Sequence, residues 1–175
     1  RLERGRLVPL VIGESMARGI CGSGMVDLVA MLVEMGGIDA SGTLCPEGAP
    51  AFILERCERQ GRTKAFALLP GFCPLSQPDI RALQLAKGAI ATAESLLLEE
   101  AGLRAPDLED VLLAGAFGSA LDPARAERIG LVPKTERPAR GVGNAALEGA
   151  ARFLIAPNAA RQRHEAILAQ AVHVP

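Results

Sequence analysis

The chain of 175 residues contains no tryptophan or tyrosine and only five phenylalanines. So few aromatic rings argue against recognition of nucleic acid by base stacking, and they leave a core to be built from Ala, Leu, Val and Ile. Charge of one sign is also lacking: 19 Lys and Arg face 20 Asp and Glu, for a net charge of −1 and a pI near 6.2. No polycationic field is available for phosphate backbones or anionic lipid. No apolar run approaches the ~20 residues of a membrane-spanning helix. The basic start, Arg1 to Arg6, is not followed by a secretory apolar region and cleavage site. Neither a membrane partner nor export is expected, and a cytoplasmic location is. Cys21, Cys45, Cys57 and Cys73 stand singly with no CxxC pair. A zinc ribbon or ferredoxin-type cluster therefore lacks its ligand set, and reduced thiols are expected. A chain beginning at Arg1 reads as an excised fragment or a processed product.

What is present is 49% apolar and 22% charged, the balance of a folded core. Residues 6–12, RLVPLVI, read as a short strand interrupted by Pro9. A glycine-rich turn, Gly19 to Gly24, leads into a helix from Met25 to Met35 with Val26, Val29, Leu32 and Val33 on one face. Ser23 is its expected N-cap, and Gly36 and Gly37 its stop. A surface loop is expected over 39–50, then strands at 51–54 and 65–69 forming a hairpin across the polar stretch around Gly61. Ser76 and Asp79 open the longest helix, Asp79 to Ala101, whose buried face would carry Ile80, Leu83, Ala86, Ile90 and Leu97; Gly102 ends it. Val111 to Ala114 reads as a strand running into Gly115-Ala116-Phe117-Gly118. Asp122-Pro123 caps a helix that stops at Gly130. Gly141-Val142-Gly143-Asn144 enters a helix through Ile155, and Asn158 is expected to cap a last one ending near Ala171. The recurrence of strand, glycine turn and helix predicts an α/β layer fold in one lobe spanning 1–175, with 39–75 as an insertion carrying the hairpin and 158–175 as the C-terminal helix.

Three glycine turns dominate the chemistry, at 19–24, 114–118 and 141–144. Glycine lets a backbone approach a ligand closely, and a helix N-terminus attracts phosphate, but each turn serves tight packing equally well. None continues as the GK[ST] of a Walker loop, and GICGSG lacks the downstream acid of a dinucleotide fingerprint. On the long helix, Arg81, Gln84, Lys87 and Glu94 form a polar face. Lys87 reads either as a solvated surface charge or as a contact in the small-residue sequence QLAKGA, where Gly88 leaves room beside the helix. His164 and His173 lack a third ligand, and Ser23 lacks a GxSxG elbow. No catalytic residue and no metal set is read.

Taken together, RGICGSGMVDLVAML, LSQPDIRALQLAKGAIATAESLL, LAGAFGSALDPARAERIGLVP and GVGNAALEGAARFL resemble, in order, the C-terminal part of the ferredoxin-like reductive activators of corrinoid proteins. The large domain of that family belongs to the superfamily of sugar kinases, heat-shock chaperones and actin. The resemblance implies an incomplete second lobe of an actin-like (ribonuclease H-like) α/β ATPase domain, a mixed sheet flanked by helices with a small hairpin insertion. It implies that the intact protein uses ATP with Mg to drive reduction of Co(II) corrinoid to Co(I) for methyl transfer. A 2Fe–2S cluster would reside in a separate N-terminal domain, and no cofactor site would be built from this segment alone. The partner implied is a corrinoid protein or a corrinoid-dependent methyltransferase, with a homodimer left open.

By the same resemblance, Gln84, Lys87 and Gly88 would flank one side of an adenosine and Gly115, Ala116, Phe117 and Gly118 the other. Gly22, Ser23 and Gly24 would open the helix bordering the cleft, and Gly143 and Asn144 the helix closing the lobe. The family's acidic phosphate-gripping turns are missing from this chain, and Ala116 stands where many superfamily members place a second glycine. The isolated segment is accordingly expected to be inactive. Two alternatives remain: a docking or dimerisation module of the same protein, and an activator serving another ATP-driven low-potential reduction, such as that of an acyl-CoA dehydratase.

Overall fold

The computed structural model describes residues 2–3, 6–13, 16–69 and 72–174, so part of the basic start from Arg1 lies outside the described residues. The lobe expected over 1–175 resolves into two compact units, Arg1–Lys87 and Gly88–Pro175.

The first unit opens with a two-residue antiparallel pair, β1 (Leu2–Glu3) and β2 (Arg6–Leu7). The strand expected over 6–12 stops at Leu7, just before Pro9, which has no N–H to donate to a ladder. Helix α1 (Gly22–Glu34) buries Val26, Leu28, Val29, Ala30, Met31 and Leu32, whereas Val33 is exposed. It starts earlier than the sequence predicts, and its N-cap is Cys21 in extended conformation, with no capping side chain. Ser23 is thus not the cap but lies inside the first turn. The stop is as expected. The Gly37 N–H reaches Leu32 O at 2.7 Å and the Gly36 N–H reaches Val33 O at 3.3 Å, with Gly36 at φ +72°, a Schellman closure. A Cβ on Gly37 would come within 3.0 Å of Leu32 Cδ2 and 3.2 Å of Ile53 Cγ2, so the chain leaves α1 through a tight gap that a larger residue would fill only by shifting these side chains.

Residues 39–50 are not wholly a surface loop. Ile38 bridges Leu44, and Leu44, Cys45 and Ala49 are buried. Ala51–Leu54 forms a helical turn, α2, and not the expected strand; the Leu54 N–H returns to Pro50 O at 3.1 Å. Only Ile53 of its four apolar residues is buried, which one helical turn satisfies and an alternating strand would not. The hairpin therefore shifts downstream, to β3 (Cys57–Gln60) and β4 (Thr63–Leu69), with Gly61 at φ +61° in the two-residue turn. A third strand, β5 (Phe72–Ser76), pairs with β4, giving the order β3-β4-β5. Its Pro74 sits on an edge strand, where a missing donor is tolerated. Central β4 buries Ala65, Phe66 and Ala67 in succession, so both faces of the sheet are covered there. Among the described residues Phe66, Leu32, Leu44, Ile53, Leu75, Ile80 and Val26 are the largest fully buried side chains.

The expected reduced thiols are corrected for one pair: Cys45 and Cys57 are joined in a disulfide, with Cα atoms 6.4 Å apart. Scattered spacing carried no sign of it, because the fold brings the 39–50 segment beside β3.

Helix α3 (Gln77–Glu100) begins with a reciprocal cap. The Ser76 N–H and hydroxyl donate to Asp79 Oδ2 at 2.8 and 2.6 Å, and the Asp79 N–H approaches Ser76 Oγ at 3.4 Å. Of the face expected to be buried, only Ile80 is; Leu83 is half-buried, and Ala86, Ile90 and Leu97 are exposed. Helical spacing aligns side chains on a face but supplies no neighbour to cover it. A second Schellman closure at Gly102, φ +66°, ends the helix.

In the second unit β6 (Leu112–Leu113) pairs in parallel with β7 (Arg140–Gly141). One helical turn, α4 (Gly115–Gly118), follows β6. Helix α5 (Pro123–Arg128) has the expected Asp122 cap, whose Oδ1 accepts the Arg125 N–H at 3.2 Å, and it stops at Gly130. Its Glu127 carboxylate accepts the Ala139 N–H at 2.9 Å and so holds the approach to β7. Helix α6 (Ala145–Ile155) is capped by Asn144, whose Oδ1 accepts the Leu147 N–H at 3.1 Å. It packs on α7 (Pro157–Leu168), where Phe153 meets His164 edge to face at 5.9 Å. Asn158 is the second residue of α7 and not its cap; Ala156 precedes the helix and Pro157 starts it. Among the described residues no helix is long and apolar enough to cross a membrane.

Candidate functional site

Two of the three glycine turns meet in the second unit. Parallel pairing of Leu113 with Gly141 places the end of β6 beside the end of β7. The ladder then continues past both strands: the Val142 N–H donates to Leu113 O at 3.0 Å and the Gly115 N–H to Gly143 O at 2.9 Å. Each strand thus hands over to its helix at the same level. Gly115 and Gly143 both have positive φ, +91° and +75°, a conformation that costs an L side chain about 1–2 kcal/mol.

Apart from the adjoining chain, no atom of the described residues lies within 4 Å of where a Cβ would stand on Gly115, Gly141 or Gly143. The paired turns therefore present bare backbone with open space above it. Gly118 differs: it is buried, and a Cβ there would meet the Leu113 carbonyl carbon at 3.1 Å, so it serves packing. Ala116 is exposed and Phe117 is 53% exposed. The Ser119 hydroxyl donates to Gly115 O at 2.8 Å and ties off the short helix. Asn144 uses its side-chain oxygen as the α6 cap. An exposed ion pair, Arg140 Nε to Asp110 Oδ1 at 3.7 Å, flanks the strand pair.

The other sequence-predicted residues are distributed differently. Gly22, Ser23, Gly24, Gln84 and Lys87 belong to the first unit, and Gly88 to the second. At the start of α1, Cys21 Sγ and Ser23 Oγ lie 3.5 Å apart. That hydrogen bond, with the Gly24 N–H second, lowers the Cys21 thiol below its ordinary pKa. Gln84 is engaged by its own unit: its Oε1 accepts from Arg81 at 2.7 Å, and its side chain lies against Gly42. Nothing approaches the position of a Cβ on Gly88, whose carbonyl accepts from the Thr92 hydroxyl at 2.9 Å. Further along α3, burial raises the Glu94 carboxyl above the ordinary range. Among the described residues no group of three or more His, Cys, Asp or Glu side chains is placed to hold a metal ion.

The sequence reading missed the residues that fasten the 39–50 segment. Gln77 accepts the Leu44 N–H at 2.8 Å and donates to Gly42 O at 2.7 Å, while Arg81 donates to Ser41 O at 2.7 Å. A polar stripe at 77, 81 and 84 on α3 is the only signal that could have found them.

Residues 4–174 match the family described as the C-terminal domain of RACo, the ASKHA domain. The chain is 37% identical over 164 residues to the corrinoid activation enzyme RamQ of Eubacterium limosum, covering 87% of this chain and 28% of that protein. It is 29% identical over 131 residues to the [Co(II) methylated amine-specific corrinoid protein] reductase of Methanosarcina barkeri, covering 75% of this chain and 21% of that one. A solved structure, the reductive activator for corrinoid, iron–sulfur protein, superposes with a TM-score of 0.68 at 29% identity, over 83% of this chain and 24% of its own. The chain thus spans about a quarter of the length of the relatives it matches.

Proposed function

Because the chain belongs to the family of C-terminal ASKHA domains of RACo, with the actin-like fold that membership carries, we propose that it forms part of the ATP-binding domain of a protein that reductively activates corrinoid proteins. The observation that carries the reading is the junction of the 114–118 and 141–144 turns, where open backbone at Gly115, Gly141 and Gly143 would accept the flat face of a nucleoside. Ala116 and Phe117 border that surface, and Asn144 holds the start of α6 in place beside it. When bound, ATP supplies the free energy for an otherwise uphill Co(II)-to-Co(I) reduction, by favouring one conformation through differential binding. The contribution of this chain is to seat the nucleoside and to hold the two strand ends in register. Magnesium, the phosphate-gripping turns and a 2Fe–2S cluster are assigned by this proposal to other parts of the intact protein, and its partner is a corrinoid protein.

Titration of ATP into the full-length protein tests the assignment. Ala116→Gln adds bulk to an exposed site on the turn, so affinity is expected to fall at least about tenfold, or about 1.4 kcal/mol, with thermal stability unchanged. Unaltered affinity in the folded variant refutes the proposed surface. A docking or dimerisation role is the second reading, favoured by Leu154 and Ile155 at the end of α6, 86% and 83% exposed.

A further inference from the structure

Cys45 and Cys57 differ in a way that suits thiol–disulfide exchange. Cys45 is only 3% exposed, whereas Cys57 is half-buried on β3, an edge strand of its sheet. Among the described residues Cys45 is also the only non-glycine with positive φ, +49°. Such a backbone persists only where its surroundings over-determine it. Three ties do so: the Cys45 N–H to Gly37 O at 2.8 Å, the Lys64 ammonium to Cys45 O at 2.7 Å, and the disulfide itself. The next residue back, Leu44, donates its N–H to Gln77 on the first turn of α3. Gln77 and Arg81 then hold Gly42 and Ser41. One covalent bond thus stands at the end of a chain of hydrogen bonds that reaches the start of the longest helix.

We propose that Cys45 and Cys57 form a thiol–disulfide switch that fixes or frees the 39–50 segment on α3, with Cys57 as the point of exchange with small thiols. A low-molecular-weight thiolate attacks Cys57 Sγ and forms a mixed disulfide. The Cys45–Cys57 bond breaks, and its electron pair leaves on Cys45 Sγ as a thiolate. A second thiolate attacks the small-molecule sulfur of the mixed disulfide. This releases the small disulfide and the Cys57 thiolate, and both protein thiolates take up protons from water. Two small thiols are oxidised and one protein disulfide is reduced; a small disulfide drives the reverse. Reduction removes one of the three ties on Cys45, lets its backbone leave the left-handed region, and draws the Leu44 N–H off Gln77. This inference is independent of the nucleotide reading, since every residue it uses lies in the first unit.

The full-length protein is compared in dithiothreitol and in oxidised glutathione, with no denaturant, by differential alkylation and by hydrogen exchange of the 39–50 amides. Reduction is expected to open Cys57 to alkylation, with Cys45 reacting more slowly, and to speed exchange of these amides at least about tenfold, reversibly. In Cys45→Ser, oxidised glutathione is expected to add to Cys57; in Cys57→Ser, addition at Cys45 should be at least about tenfold slower. A disulfide that resists dithiothreitol until the protein unfolds overturns the proposal. So does reduction that leaves exchange over 39–50 unchanged, or equal modification of the two cysteines. The wild-type comparison stands even where a variant fails to fold.

Discussion

Residues 26–80 and residues 112–144 achieve order by different means. In the first unit Val26, Leu32, Leu44, Ile53, Phe66, Leu75 and Ile80 are sealed from solvent, so burial of side chains sets the positions of the backbone. In the second, the buried apolar residues among those described are Leu113, Ala126, Ile129, Leu131 and Ala139, mostly small or at the edge of burial. What positions the glycine turns there is a backbone ladder from Leu112 to Gly143 together with the Asp122 and Asn144 caps. A site built from bare backbone has few side chains to pack, and hydrogen bonds worth about 1 kcal/mol each replace apolar contacts. Turns held by backbone hydrogen bonds, with open space above them, are the outcome.

Removing a ring from each unit tests the contrast most strongly. Phe66→Ala should cost about 3–5 kcal/mol in denaturant unfolding, because the emptied site is wholly enclosed, whereas exposed Phe117→Ala should cost about 0.5 kcal/mol or less. Comparable losses would show that the second unit depends on side-chain packing after all. Two glycines sharpen it at smaller scale. Gly115→Ala meets φ +91° and should destabilise by about 1–2 kcal/mol despite ample room. Gly88→Ala, in a helix interior with nothing near its Cβ position, should stabilise by about 0.5–1 kcal/mol. Thermal unfolding of both variants separates conformational need from space.

The smallest effect concerns the exposed pair beyond α3. Hydrogen bonds from the Arg104 guanidinium, at 3.1 Å, and from its backbone N–H, at 2.9 Å, hold the Asp107 carboxyl below its ordinary pKa. Their stabilisation is complete above the unfolded carboxylate range and is lost as pH falls through the lowered folded value. A carboxyl titration followed by NMR should show Asp107 returning toward the ordinary range in Arg104→Ala, and the wild-type shift shrinking at high salt.

Local chemistry was readable at many points. The stops at Gly36, Gly102 and Gly130, the Ser76–Asp79 pair and the cap at Asp122 all involve residues within a few positions of one another. Errors fell where one short run suited two structures. Ala51–Leu54 is apolar enough for strand or helix, and Phe72–Ser76 hides a strand behind Pro74. Ser23 and Asn158 are good capping residues displaced into the helices by an earlier start. The ties of Gln77 to Leu44 and Gly42 span more than thirty positions, beyond any local pattern.

The glycine turns, the helix stops at Gly36, Gly102 and Gly130 and the family likeness were determined by the amino-acid order alone, since each depends on neighbouring residues or on whole blocks of sequence. Tertiary structure alone decided that the turns at 115 and 143 join, that Cys45 meets Cys57, and that most of the apolar positions along α3 stay uncovered. The physical reason is that pairing and burial require a partner surface, and a chain read in order does not say which surface arrives.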